Sequence, residues 1–370
     1  MNADAWSEAW GDARRILCIR LDYLGDVLMT TPALRALRAD GARRITLLTS
    51  PGGAAVAPYL PEVDDTIVYA APWLKHGADA DAAADLAMIE TLRAQDFDAA
   101  VIFTVYSQNP LPAALLCHLA GIPLRLAHCR ENPYRLLTHW VPESEPQQQV
   151  RHEVRRQLDL VASVGARCAD ERMSFAVPPA AHAGVRALLS ACDVGTDYLV
   201  LHPGASAASR RYPPAQFREA AHMLSRATGC TLLFTGSADE ATLIDDIRRG
   251  LPRSHSLAGR LDLGQLGALI GGARLLVSNN TGPAHLAAAL GTPVVDLYAL
   301  TNPQHTPWQV PARVLFRDVP CRYCYKSACP QGHHACLAGV PPERVLEAAC
   351  ELLAGATDGG AALPPLMPAR

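Results

Sequence analysis

Short apolar runs alternate along the chain with longer stretches of helical spacing. ILCIRL, within residues 15–21, reads as a β-strand, and the spacing of Leu28, Leu34 and Leu37 predicts a helix from Asp26 to about Arg38. Pro32 fits there only near a first turn or at a kink. Strands are expected at 45–50, 66–69, 97–103 and 123–127, and helices at 54–60, 80–94 and 112–120. Pro51, Gly52 and Gly53 close the strand before them. Residues 134–146 are looser and end polar, and 149–164 reads as a long helix. Repeated β, α alternation favours a mostly parallel sheet with helices on both faces.

The pattern then restarts. Strands are expected at 198–202 and 231–235, with a further strand residue at Ser256, and helices at 213–228, 238–249 and 263–271. Residues 276–300, LVSNNTGPAHLAAALGTPVVDLYAL, compress strand, turn, helix and strand into one segment, the turn running from Asn279 to Gly282. Such a segment offers unpaired backbone N–H groups and a positive helix end to an anion, here expected to be a nucleotide's phosphates. A late strand at 314–316 and a helix at 342–354 follow. Residues 170–179, ending in Pro178 and Pro179, read as the passage between two domains, 1–178 and 179–356, with 357–370 as a flexible tail. Two open α/β sheets facing across a cleft would hold ligands at the carboxyl ends of their strands.

A chain of 370 residues, 49% hydrophobic and 19% charged, has the composition of a globular protein, and a net charge of −3 argues against nucleic acid as partner. The N-terminus carries acids and lacks an apolar segment, so no secretory signal is expected, and no apolar run is long enough to span a membrane. Eleven cysteines without a signal point to a reducing, cytoplasmic setting rather than a disulfide framework. Two arginine-dense stretches, Arg35, Arg38, Arg43 and Arg44, then Arg151, Arg155 and Arg156, are either solvated faces or contacts to an anionic acceptor.

Five groups of residues could carry chemistry. Arg20, Asp22, Gly25 and Asp26 stand where a strand meets a helix. Gly25 would permit an unusual dihedral, and Asp26 is either a helix cap or a general base. In LHPGASAASRRYPP, His202, Gly204 and Ser206 form a small-residue loop open to phosphate, with Arg210 and Arg211 to neutralise a diphosphate. Thr235, Gly236 and Ser237 offer either a nucleoside contact or a plain helix cap. Asn280, Thr281, Gly282, Pro283, Ala284 and His285 form the phosphate-facing turn, which is neither a P-loop nor a dinucleotide fingerprint. Cys321, Cys324, Cys329 and Cys336 have the spacing of a structural zinc site, with an iron–sulfur cluster or unliganded thiols as alternatives.

RLDYLGDVLMTTPALRALR, HPGAS with RRYPP, FTGS and VSNNTGPAHLAAALGTPVV together resemble the heptosyltransferase-type glycosyltransferases of family 9, over roughly residues 15–353. The cysteine loop, CRYCYKSACPQGHHAC, resembles one that many members carry. The resemblance implies a GT-B architecture: two Rossmann-like domains facing across a cleft, acceptor-binding first and nucleotide-sugar-binding second, with a C-terminal helix returning toward the first domain. It implies inverting, metal-independent transfer of heptose from ADP-heptose to a saccharide or anionic glycolipid of the lipopolysaccharide core, at the cytoplasmic face of the inner membrane and without an integral membrane segment. Other nucleotide sugars, an epimerase and a catalytically silent homologue are the alternatives. The family's general base falls on Asp26, its phosphate-binding lysine on Arg210, and its Asp-Thr-Gly on Asn280, Thr281 and Gly282. Arg20, Asp22 and Gly25 fall on the acceptor side. Asn280 departs from the pattern because it carries no charge, and Arg210 keeps charge but changes geometry.

Overall fold

The computed structural model describes residues 8–38, 41–74, 81–299 and 303–355. The expected tail at 357–370 and the end of the focal segment at Leu300 lie outside them. The chain divides into two compact units, the first ending at Ser174 and the second beginning at Phe175. Pro178 and Pro179, read as a linker, instead cap and open a helix, α5 (Pro179–Ala191), where the missing proline N–H costs nothing.

In the first unit six strands pair in parallel: β1 (Arg15–Arg20), β2 (Arg44–Thr49), β3 (Asp65–Val68), β4 (Ala99–Ile102), β5 (Leu124–Cys129) and β6 (His139–Pro142). Their order is β3-β2-β1-β4-β5-β6, the doubly wound arrangement whose direction reverses between β1 and β4. Helices α1 (Leu24–Leu37), α2 (Ala82–Ala94), α3 (Leu111–Leu119) and α4 (Glu153–Ala162) complete the unit. Leu17 and Ile19 of β1 enter one apolar cluster with Leu48, Ala100 and Ile102, each from a strand buried on both faces. Strand β6 falls in the stretch expected to be loose, because its short run HWVP gives too little periodicity to read.

Helix α1 passes through Pro32 without ending. A proline leaves the carbonyl four residues earlier without its helical donor. Here that carbonyl, of Leu28, accepts instead from the Thr31 hydroxyl at 2.7 Å. Gly25, expected to need an unusual dihedral, lies in the first turn of the same helix and is not among the glycines with positive φ. Residues 51–54, expected to interrupt the chain, form a short helical turn because the Ser50 hydroxyl caps the Gly53 N–H at 3.0 Å.

The second unit repeats the wiring. Strands β7 (Tyr198–His202), β8 (Thr231–Phe234), β9 (Ser254–Ser256), β10 (Leu276–Asn279), β11 (Val294–Leu297) and β12 (Ala312–Leu315) run parallel in the order β12-β11-β10-β7-β8-β9. Counted within the unit, this is the first sheet's order again, with its reversal between β7 and β10. Helices α6 (Pro214–Thr228), α7 (Ala241–Arg248), α8 (Leu263–Gly271), α9 (Gly282–Leu290) and α10 (Pro342–Leu353) follow in turn. In α10, the helix that the resemblance sends back toward the first domain, Val345, Ala348, Ala349 and Leu352 form one helical stripe in the second unit's core. Among the described residues no helix is long and apolar enough to cross a membrane.

Candidate functional site

In each unit the candidate residues gather at the carboxyl edge of the sheet, beside the reversal. In the first unit Arg20 ends β1 with no solvent exposure. Its guanidinium meets three carboxylates: Nε lies 2.9 Å from Asp22, Nη2 3.1 Å from Asp26 and Nη1 3.0 Å from Glu153. These neighbours raise the Arg20 pKa against the opposing effect of burial. Asp22 is pushed up chiefly by desolvation, with Arg20 and a 2.6 Å hydrogen bond from Gln108 acting the other way. Arg20, expected on the acceptor side, is thus committed to its carboxylates.

Asp26 both caps and faces outward. Its Oδ2 accepts from the Tyr23 N–H at 3.4 Å, its Oδ1 accepts from Arg20, and its side chain keeps 22% exposure. At the ends of β1 and β4 lies a cavity of about 290 Å³, whose lining includes Asp22, Trp73, Phe103, Thr104, Gln108 and Asn109 but not Asp26. One indole and several hydrogen-bonding groups around such a space suit a polar ligand with an apolar face.

The arginine-dense stretches are engaged by acids and carbonyls of their own unit. Arg35 binds Glu62 and the Asp170 and Arg172 carbonyls, Arg38 binds Asp64, and Arg44 binds Asp65. Arg43 donates to the Trp10, Ala13 and Leu37 carbonyls. Arg151 pairs with Glu145 and Asp159, Arg155 with Glu171, and Arg156 with Glu143. The one-dimensional pattern could not show these pairings, because the acids lie outside the arginine stretches themselves.

In the second unit Asn279, the last residue of β10, fastens the motifs together. Its side-chain amide donates to the Pro203 carbonyl at 2.7 Å and the Gly204 carbonyl at 3.3 Å, and its Oδ1 accepts from the Tyr212 N–H at 2.9 Å. The loop after β7 and the Arg210–Tyr212 turn are therefore anchored on one buried side chain. Tyr212 is itself buried and donates its hydroxyl to the Val340 carbonyl at 2.7 Å. Arg210 ends a single 3₁₀ turn, Ala208–Arg210, is half-buried, and makes no ion pair among the described residues. Arg211 donates from Nε to the Ala205 carbonyl at 2.8 Å and stands 3.9 Å from Glu240.

Glu240 sits centrally in this loop set. A Cβ at Gly204 or Gly236 would collide with its side chain, so both glycines are there for close approach. It accepts from the Ser237 N–H at 2.9 Å in a capping box. His202 Nδ1 lies 3.0 Å from the Thr235 hydroxyl, and desolvation lowers its pKa to about 4, which keeps the ring neutral. A cavity of about 310 Å³ opens beside them, its lining including His202, Thr235, Gly236, Ser237, Leu257, Leu261, Asp262, Leu266 and Pro283. A lining that combines leucines with hydroxyl groups suits a flat base and its ribose. Ser206 is exposed in the loop after β7.

The turn after β10 leads into α9 as expected. Thr281 is its extended N-cap and donates its hydroxyl to the Asn279 carbonyl at 3.2 Å, Pro283 occupies the first turn, and Ala284 and His285 are buried. Gly282 opens the helix. Asn280 donates from Nδ2 to Asp296 and to the His305 carbonyl, both at 3.3 Å. Asp296 has no solvent exposure, and burial raises its pKa to about 7 despite the Asn280 hydrogen bond. A carboxylate thus lies directly behind the asparagine that departs from the family pattern. A lone acid in VVDL, an otherwise apolar buried strand, was the signal for it.

All eleven cysteines are free thiols. Among the described residues no group of three or more His, Cys, Asp or Glu is drawn together as a metal site. Cys336 is buried, while the Cys329 thiol is pushed down, first by the His334 N–H it accepts at 3.4 Å.

Comparison with known proteins places these features. The model of glycosyltransferase family 9 (heptosyltransferase) matches residues 86–335. The chain is 27% identical over 297 residues to lipopolysaccharide heptosyltransferase 3 of Escherichia coli, covering 78% of this chain and 83% of that one. The fold is shared with a family 9 glycosyl transferase from Veillonella parvula (TM-score 0.75, 21% identity, 92% and 97% of the two chains). It is shared also with E. coli ADP-heptose lps heptosyltransferase II (TM-score 0.71, 23% identity, 92% and 99%).

Proposed function

Because the chain belongs to glycosyltransferase family 9, and so is a glycosyltransferase of heptosyltransferase type with a GT-B-like fold, we propose that it transfers heptose from ADP-heptose to a saccharide of lipopolysaccharide core or a related glycan, with inversion. The observation that carries this reading is the phosphate grip of the second unit. An arginine that makes no ion pair among the described residues, a turn fastened by Asn279 and the N-terminus of α9 stand at one carboxyl edge, beside a cavity suited to a nucleoside. The relatives named for ADP-heptose support that donor.

In the proposed reaction an acceptor hydroxyl attacks the anomeric carbon from the face opposite the diphosphate. The new C–O bond forms as the bond to phosphate breaks, and ADP departs. Asp26, paired with Arg20 and set in the first turn of α1, takes the hydroxyl proton. Arg210 and the N-terminus of α9, where Thr281 is the N-cap and Gly282 opens the helix, bear the charge that grows on the leaving diphosphate. Asp22 and the cavity beside it would take the acceptor.

A structural zinc on Cys321, Cys324, Cys329 and Cys336 is also proposed. It is supported by the ligand spacing. When bound, the ion would brace the loop and take no part in transfer. The experiment that tests the main reading offers ADP-, UDP-, GDP- and CDP-sugars in a thermal-shift screen, followed by mass spectrometry of a core oligosaccharide with the best donor. Stabilisation by ADP-heptose alone and a heptose-sized mass gain are expected. Preference for another nucleotide sugar would shift the donor, and binding without transfer would mark a silent homologue.

A further inference from the structure

The cysteine-rich loop has no place in the transfer chemistry, yet it touches the site at one residue. Ser209, immediately before Arg210, is buried and held from three directions. Its N–H donates to the Ser327 carbonyl at 3.1 Å, its hydroxyl donates to the Lys326 carbonyl at 2.6 Å, and its own carbonyl accepts from His334 Nε2 at 2.6 Å. All three partners belong to the loop that runs from Cys321 to Cys336.

The loop side of this contact is specialised. His334 takes a left-handed backbone, φ 48°, a conformation that costs a non-glycine residue of order 1 kcal/mol and persists where its surroundings impose it. Its N–H is engaged by Cys329 Sγ, and the next residues enter a helical turn whose Cys336 and Leu337 are buried in the second unit's core. Cys336 also accepts from the Arg317 N–H at 2.8 Å, which ties the turn to the end of β12. The imidazole is therefore aimed at the Ser209 carbonyl from a rooted base. A carbonyl only accepts, so Nε2 carries the proton. Arg210, in contrast, makes no ion pair of its own among the described residues; what fixes its turn is Asn279 on one side and this loop on the other.

We propose that the cysteine-rich loop is a clamp that positions Arg210 for diphosphate binding, with His334 and Ser209 as its positioning residues. The proposal rests on the reading of Arg210 as the diphosphate ligand. It gives the loop a role that its spacing alone did not suggest: the thiol of Cys329 engages the residue that grips Ser209, so chemistry at the cysteines is transmitted to the donor site.

The test is a double-mutant cycle in the full chain, read as affinity for ADP and for inorganic pyrophosphate by calorimetry. His334→Ala is expected to weaken both ligands about tenfold, the equivalent of one well-made hydrogen bond, and Ser209→Ala about threefold. His334→Gln, which can still donate to the carbonyl, should recover most of the loss. In an Arg210→Ala background, His334→Ala should change affinity less than about twofold, because the group it positions is gone. The same loss with and without Arg210 would overturn the clamp, as would unaltered affinity in both single variants. If His334→Ala does not fold, Ser209→Ala and His334→Gln carry the same cycle. Pyrophosphate binding that follows this pattern without turnover of any nucleotide sugar would leave the clamp standing and remove the transferase reading. Turnover that is indifferent to both residues would do the reverse, and a wild-type protein that binds neither ligand would remove both.

Discussion

Replacing Arg20 by Met removes the one cation that meets Asp22, Asp26 and Glu153 together, at 2.9, 3.1 and 3.0 Å. The three acids are not equivalent. Asp22 and Asp26 retain 18% and 22% side-chain exposure and rehydrate in part, whereas Glu153 has 1%. Glu153 would keep Arg156, at 3.7 Å and already paired with Glu143, and the amide of Gln157. Most of the penalty therefore falls on Glu153, and stripping a partner from a buried ion costs about 3–5 kcal/mol. Neutralising Glu153 as well removes the stranded charge, so Arg20→Met with Glu153→Gln should cost only about 1–2 kcal/mol, a recovery of roughly 2–3 kcal/mol over Arg20→Met alone. Arg20→Lys keeps the charge but cannot point three donors in three directions, and should fall between them. Urea denaturation of the full-length variants, followed by circular dichroism, gives the four free energies. Arg20→Met within about 1 kcal/mol of wild type, or a double variant no more stable than the single one, would refute this account of the cluster.

Other perturbations bear on separate parts of the molecule. Asp296 has a folded pKa of about 7 against an ordinary 3.8, so its stabilising contribution is complete at acid pH and is lost as pH rises through 7. Asp296→Asn should therefore flatten the decline in stability between about pH 4 and pH 8, a difference of about 4 kcal/mol across that window; parallel wild-type and variant curves would count against it. Arg210→Ala should weaken ADP binding by about 1.5–3 kcal/mol, the value of a charge-assisted contact, as read by calorimetry, and undiminished affinity would remove Arg210 from the grip. Asp26→Asn should abolish most turnover while leaving ADP affinity intact, and retention of turnover would exclude it as the base. Stripping zinc with a chelator should lower the melting temperature, and a melting curve indifferent to both chelator and added zinc would reject a structural ion.

Much of the fold was legible because strands buried on both faces write themselves as continuous apolar runs. ILCIRL and YLVLH are largely such runs, and each became a central strand. The edges were harder: HWVP is short and half-exposed, and Pro179 imitates a linker while opening a helix. At the site, the motifs that contain glycine or sit at a strand's end stood out in composition, although at Gly204 and Gly236 the close neighbour is the Glu240 side chain. The partners that fix them did not. Glu153 reaches Arg20 across 133 positions, and the main chain and His334 of the cysteine loop reach Ser209 across more than a hundred. Such pairings follow from sheet order, which no local pattern contains.

The side chain of Asn279 joins the backbone of two loops that come from different points in the chain. A displacement of either loop must therefore strain a shared amide, and what one loop gains in order the other does not need to supply again. Occupancy of the nucleoside cavity and engagement of the diphosphate should accordingly be cooperative. ADP should bind more tightly than the separate affinities of adenosine and pyrophosphate would give for independent loops, and Asn279→Ala should make that surplus disappear.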